Sequence, residues 1–127
     1  MKDIGGPIIY SYSRAQAIED GVLVDLTEWA SSTKGFMGGF TCPVAVTQAV
    51  WADIERKPAN QDIRGRAHDV LWMASLVARR AAKTNVSQTL FQVIMQVGRT
   101  RKQTYKMVAH GGDEGEMVMT IMRPDED

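Results

Sequence analysis

From residue 65 to 83 the chain reads GRAHDVLWMASLVARRAAK, and Ala67, Val70, Leu71, Ala74, Val77, Ala78 and Ala81 recur at i, i+3/i+4 and i+7. A helix places all of these on one stripe, and a stripe that wide needs a surface to cover it. Arg80 and Lys83 fall near its C-terminus, where the helix dipole favours cations. The period then drops from 3.6 to 2. In TLFQVIMQV (89–97), Phe91, Val93, Met95 and Val97 share one face and Leu90 and Ile94 the other. QTYKMVA (103–109) and EMVMTIMR (116–123) alternate in the same way, separated by GRTRK and by the glycine-bearing HGGDEGE. That pattern predicts a three-stranded antiparallel meander over about 89–123. A long apolar-striped helix followed by a meander restricts the chain to the α+β class, with helices over about 14–20, 44–56 and 65–83 packed on one face of an antiparallel sheet.

The first third fills in the remaining elements. PIIYSY reads as a short strand, with Tyr10 and Tyr12 on one face. Ser13 and Gln16 form an S-x-x-Q capping box, and Gly21 stops the helix they open. VLVDL (22–26) returns as a strand, and a helical turn surrounds Trp29. The loop with Gly35, Gly38 and Gly39 lacks the Lys-Ser/Thr ending of a phosphate-binding P-loop. Residues 43–56 read as a helix, with Pro43 suited to its first turn and Val46, Ala49, Val50, Asp53 and Ile54 on one face.

The 127 residues imply one α+β domain spanning 1–127. At 14.1 kDa, folding should hide about two thirds of the roughly 20,000 Å² that the unfolded chain exposes. Cys42 is the single cysteine, which rules out an internal disulfide, and with only His68 and His110 as other soft ligands no metal site is expected. No cofactor is expected either. MKDIGG is unlike a signal peptide and no apolar run reaches membrane length, so the expected location is the bacterial cytoplasm.

Few residues suggest chemistry. His68 and Asp69 are neighbours on the long helix and point in different directions. His110 sits in a turn, no serine has a nucleophile's context, and the carboxylates of GDEGE and RPDED are most simply solubilising. Trp29, Trp51 and Trp72 are expected to anchor the core rather than to bind.

Charge is more informative. The net charge is zero, yet residues 1–55 sum to −4, 56–106 to +9 and 107–127 to −5. Such segregation points either to an electrostatic partner or to a basic middle that folds against the acidic ends and cancels their charge. Arg79, Arg80 and Lys83 end the long helix, while Arg99, Arg101, Lys102 and Lys106 occupy the first meander turn and the strand after it. Were the fold to bring helix end and turn together, these would form one phosphate- or partner-binding patch.

IYSYSRAQAIEDGVLVDL, PVAVTQAVW, DVLWM and GDEGEMVMTIMRPDED together resemble a family of small uncharacterised proteins of bacteriophages, plasmids and other mobile elements. The resemblance spans Ile9 to the C-terminus and carries no known site residues. It implies a non-enzymatic protein that inhibits or redirects a host protein or ribonucleoprotein complex by steric block, an anti-CRISPR inhibitor being one such case, with no membrane partner. A nucleic-acid-binding accessory protein using the basic segment 79–106 is the alternative. A divergent ADP-ribosyltransferase-like enzyme is a second, with Tyr10, Tyr12, Arg14 and Glu116 as its nearest counterparts of that family's pocket residues.

Overall fold

Asp62 caps the long helix, α4 (Ile63–Thr84), by accepting a hydrogen bond from the Gly65 N–H at 2.6 Å. Asn85 ends it in the left-handed conformation, φ 58°. The computed structural model describes residues 12–31 and 40–126. Tyr10, most of the strand predicted at PIIYSY, and Gly35, Gly38 and Gly39 lie outside these residues.

The turn at Asn85 sends the chain back along α4 as β3 (Gln88–Val97), followed by β4 (Thr100–Gly111) and β5 (Met117–Met122). These strands pair antiparallel in sequence order, so the meander forms as the alternation predicts. Phe91, Val93 and Met95 of β3, Tyr105 and Met107 of β4 and Ile121 of β5 are buried on one face. The stripe Ala67, Val70, Leu71 and Ala74 of α4 is buried with them in a single core, and Val77 and Ala78 pack against it.

Beyond β5 the sheet continues with two strands from the first half of the chain, in the order β1-β2-β5-β4-β3. β1 (Leu23–Asp25) pairs antiparallel with β2 (Val44–Thr47), and β2 pairs parallel with β5. β2 corrects the helix expected over 44–56, because α3 begins only at Gln48 and runs to Glu55. The reason is physical. Val44, Ala45 and Val46 are each fully buried, so this central strand is covered on both faces and shows no alternation that could distinguish it from a helix. Thr47 then caps α3 through a 3.4 Å hydrogen bond from the Val50 N–H.

α2 (Thr27–Ala30), α3 and α4 supply Ala30, Val50, Ile54 and the α4 stripe to the core face. α1 (Arg14–Glu19) departs from the one-sided arrangement. Its Arg14 guanidinium donates to Thr120 Oγ1 at 2.8 Å, and Thr120, next to the core residue Ile121, points to the reverse face. The reverse face is therefore covered by α1 near β1, β2 and β5, whereas Leu90 and Ile94 of β3 stand 57% and 75% exposed.

Candidate functional site

The predicted cations divide into two groups. β3 antiparallels α4, so Arg79, Arg80 and Lys83 at the end of the helix lie beside the start of β3. The β3–β4 turn, with Gly98 at φ +61°, carries Arg99, Arg101 and Lys102 at the far end of that strand. A ten-residue strand separates them, about 30 Å at about 3.3 Å per residue. Lys106 belongs to neither group. Its ammonium donates to the Glu126 carbonyl at 2.6 Å and ties the C-terminal segment to β4.

The turn has further cations beside it. The segment after α3 brings Arg56 and Lys57 alongside, and a Cβ at Gly98 would stand 3.2 Å from the Arg56 guanidinium. Arg56, Lys57, Pro58, Gln96 and Gly98 line a shallow cleft of about 360 Å³. Next to it, a second cleft of about 540 Å³ places Arg101 with Asp62, His68 and Asp69 between α4 and the end of β3. Arg56, Lys57, Arg99, Arg101 and Lys102 are all solvent-exposed. Their only hint in the sequence was that Arg56 and Lys57 open the basic segment.

The reverse face holds a cleft of about 690 Å³ between α1 and the strands, with Arg14, His110 and Thr120 in its lining. Arg14 Nη1 donates to Thr120 Oγ1 at 2.8 Å, and Thr120 Oγ1 stands 2.8 Å from His110 Nε2. His110 Nδ1 is 3.1 Å from the Gly111 carbonyl, which can only accept. With Nδ1 protonated, the Thr120 hydroxyl donates to Nε2 and the chain of bonds is consistent from Arg14 to Gly111. Arg14 Nη2 also donates to the Met119 carbonyl at 2.9 Å. Burial lowers the pKa of this guanidinium, against the nearby carboxylates that raise it. These bonds strap α1 to the sheet. Of the counterparts of the transferase pocket, Tyr12 and Arg14 line the cleft, while Glu116 accepts from the Glu114 N–H at 3.0 Å within the β4–β5 turn.

The remaining chemically interesting groups hold structure. His68 Nδ1 and Asp69 Oδ1 approach to 3.7 Å with both side chains more than half exposed, a surface contact of little energetic weight. Burial pushes the Cys42 thiol above its ordinary pKa, more than its backbone hydrogen bond and Arg14 lower it. Trp29, Trp51 and Trp72 pack against the core as expected. Trp29 and Trp51 meet at 6.2 Å, and Arg64 lies 5.9 Å over the Trp29 ring. Among the described residues, no three His, Cys, Asp or Glu side chains converge to hold a metal ion, and no helix is long and apolar enough to cross a membrane.

Comparison with known proteins gives a family and no chemistry. No curated protein and no solved structure matches the chain. The match to a family model covers residues 3–127, and on that extent the chain belongs to DUF6573, a family of unknown function.

Proposed function

We propose that this is a non-enzymatic binding protein that occupies an anionic surface of a larger assembly and blocks it sterically. The observation that supports this reading is the placement of the exposed Arg56, Lys57, Arg99 and Arg101 at the β3–β4 end of the molecule, with Arg56 against Gly98 and Lys102 on the opposite sheet face beside Ile94. The turn and the segment after α3 are far apart in sequence, yet they present exposed cations side by side on ordered elements. Cations so grouped attract phosphates or clustered carboxylates and accelerate encounter. The resemblance to proteins of bacteriophages, plasmids and other mobile elements favours a host protein or ribonucleoprotein as the target, a CRISPR–Cas effector included, encountered in the bacterial cytoplasm.

A tagged pull-down from host lysate, with and without nuclease, tests this. The expected result is a stoichiometric protein partner that survives nuclease and is lost from an Arg99→Glu/Arg101→Glu variant that melts like the parent. Unchanged capture by that folded variant removes the cationic end from the interaction. The same cluster also supports the alternative of direct nucleic-acid binding. In that case recovery disappears with nuclease, and log affinity for an oligonucleotide falls with log salt by about 0.9 per neutralised phosphate, a slope the double variant reduces by about two contacts.

A further inference from the structure

The outer edge of β3 is long and uncharged, and among the described residues no strand pairs with it. In the described sheet β3 is an edge strand of ten residues, whereas β1, at the opposite edge, has three. Soluble proteins usually protect such an edge with lysine, proline, an inward charge or a covering segment. QTLFQVIMQV contains no charge and no proline. The Ala109 N–H donates to the Ser87 carbonyl at 2.7 Å, which makes Ser87 and Ala109 a hydrogen-bonded pair. Alternation from that pair directs the N–H and C=O groups of Gln88, Leu90, Gln92 and Ile94 away from β4, toward the open edge. The side chains of the same residues form the uncovered reverse face, including Leu90 and Ile94.

This edge is self-complementary. Read outward from Gln92, the reverse-face residues run Leu90 and Gln88 in one direction, Ile94 and Gln96 in the other. We infer that β3 pairs antiparallel with β3 of a second copy about a two-fold axis at Gln92, giving a ten-stranded sheet across the dimer. Gln92 then faces the partner's Gln92, and Leu90 faces the partner's Ile94. Each facing pair exchanges both its N–H···O bonds. The two Leu–Ile pairs cover apolar surface that each protomer alone leaves in water. A closed isologous pair also removes the free edge, as a heterologous strand addition would not. This inference is independent of the anionic partner proposed above.

The register makes position 92 unlike any other, because it is the one that meets itself. In a Cys42→Ser background, Gln92→Cys places two sulfurs across a pair whose Cα atoms are about 5.5 Å apart, within disulfide reach. Leu90→Cys in the same background stands four residues out of register with itself. The expected results are a mass of twice 14.1 kDa by light scattering, oxidative cross-linking of Gln92→Cys but not of Leu90→Cys, and loss of the dimer in Gln92→Lys, which sets like charges opposite each other. Since Gln92 is exposed, Gln92→Lys should retain the circular dichroism and melting of a folded monomer. A monomeric mass across a wide dilution series overturns the inference, as does a dimer that Gln92→Lys leaves intact or that cross-links equally through position 90.

Discussion

Asp53 sits among apolar residues on α3 and is 5% exposed. An isolated carboxylate there would be costly, so its partners determine its effect. Arg123 donates to Oδ1 at 2.6 Å and to Oδ2 at 3.2 Å, and the Tyr105 hydroxyl donates to Oδ2 at 3.0 Å. Burial first, and then the Asp53 charge, push the Tyr105 phenol above its ordinary pKa, which keeps it a donor at neutral pH. Tyr105→Phe removes one charge-assisted bond and is expected to cost about 1.5 kcal/mol in urea unfolding. Asp53→Ala is expected to cost more, about 2 to 3 kcal/mol, because it leaves the buried phenol unpaired while the 43% exposed Arg123 finds water. Equal losses in the two variants would mean that neither the unpaired phenol nor the lost Arg123 pair adds to the loss of the Tyr105–Asp53 bond. Arg66 plays a related part at 3% exposure, donating from Nε to the Ile54 carbonyl and from Nη2 to those of Asp53 and Arg56, and so satisfies the end of α3.

At the scale of elements, α1 is too short to be stable alone and depends on what holds its first turn. Ser13 accepts from the Gln16 N–H at 3.0 Å, as the capping box predicts. No local pattern announces the second cap. Asp113, in the β4–β5 turn, accepts from the N–H groups of Arg14 at 2.7 Å and Ala15 at 3.0 Å. Those two bonds hold the Asp113 carboxyl below its ordinary pKa of 3.8. A depressed folded pKa means that the contribution is fully present above the unfolded value and is lost as pH falls through the folded one. Asp113→Ala is therefore expected to speed hydrogen exchange across residues 14–19 at neutral pH and leave α4 protected. The gap between variant and parent should begin to narrow only as pH falls below the unfolded value of 3.8 and should close below the depressed folded one. An unchanged exchange rate in α1 would show that Arg14 holds the helix by itself. α4 and β3 were legible because each has one wet face and one dry, which writes a period into the sequence, whereas β5, with Val118, Thr120, Ile121 and Met122 all buried, was legible from its place after two strands and a glycine-bearing turn. β2 was not, because a strand buried on both faces has no period. Its parallel pairing with β5, like the reach of Asp113 to α1, is a long-range choice that no window of residues records.

Across the whole molecule, the same limit explains the charges. A single patch would need Arg79, Arg80 and Lys83 to meet Arg99 and Arg101, and within one chain the reversal at Asn85 keeps them a strand length apart. An antiparallel β3 pair changes this, because it sets the start of one strand beside the end of the other. Arg80 and Lys83 of each protomer then approach the β3–β4 turn of its partner, and two cationic bands form at the ends of the interface. The like charges oppose association, but they are exposed and are screened over about 8 Å at physiological ionic strength. Backbone pairing and the Leu90–Ile94 contacts are not screened. Opposite salt dependences follow. Raising sodium chloride is expected to strengthen the dimer while weakening its hold on an anionic partner. Linkage adds that a polyphosphate bridging a band should increase the dimer fraction at low salt, by the same factor that dimerisation tightens polyphosphate binding. Sedimentation velocity at two salt concentrations, with and without polyphosphate, measures both effects. Arg80→Gln/Lys83→Gln should flatten the salt dependence of the dimer without abolishing it. A dimer that weakens as salt rises, or one that polyphosphate dissociates, would mean that the cationic groups do not meet across the interface.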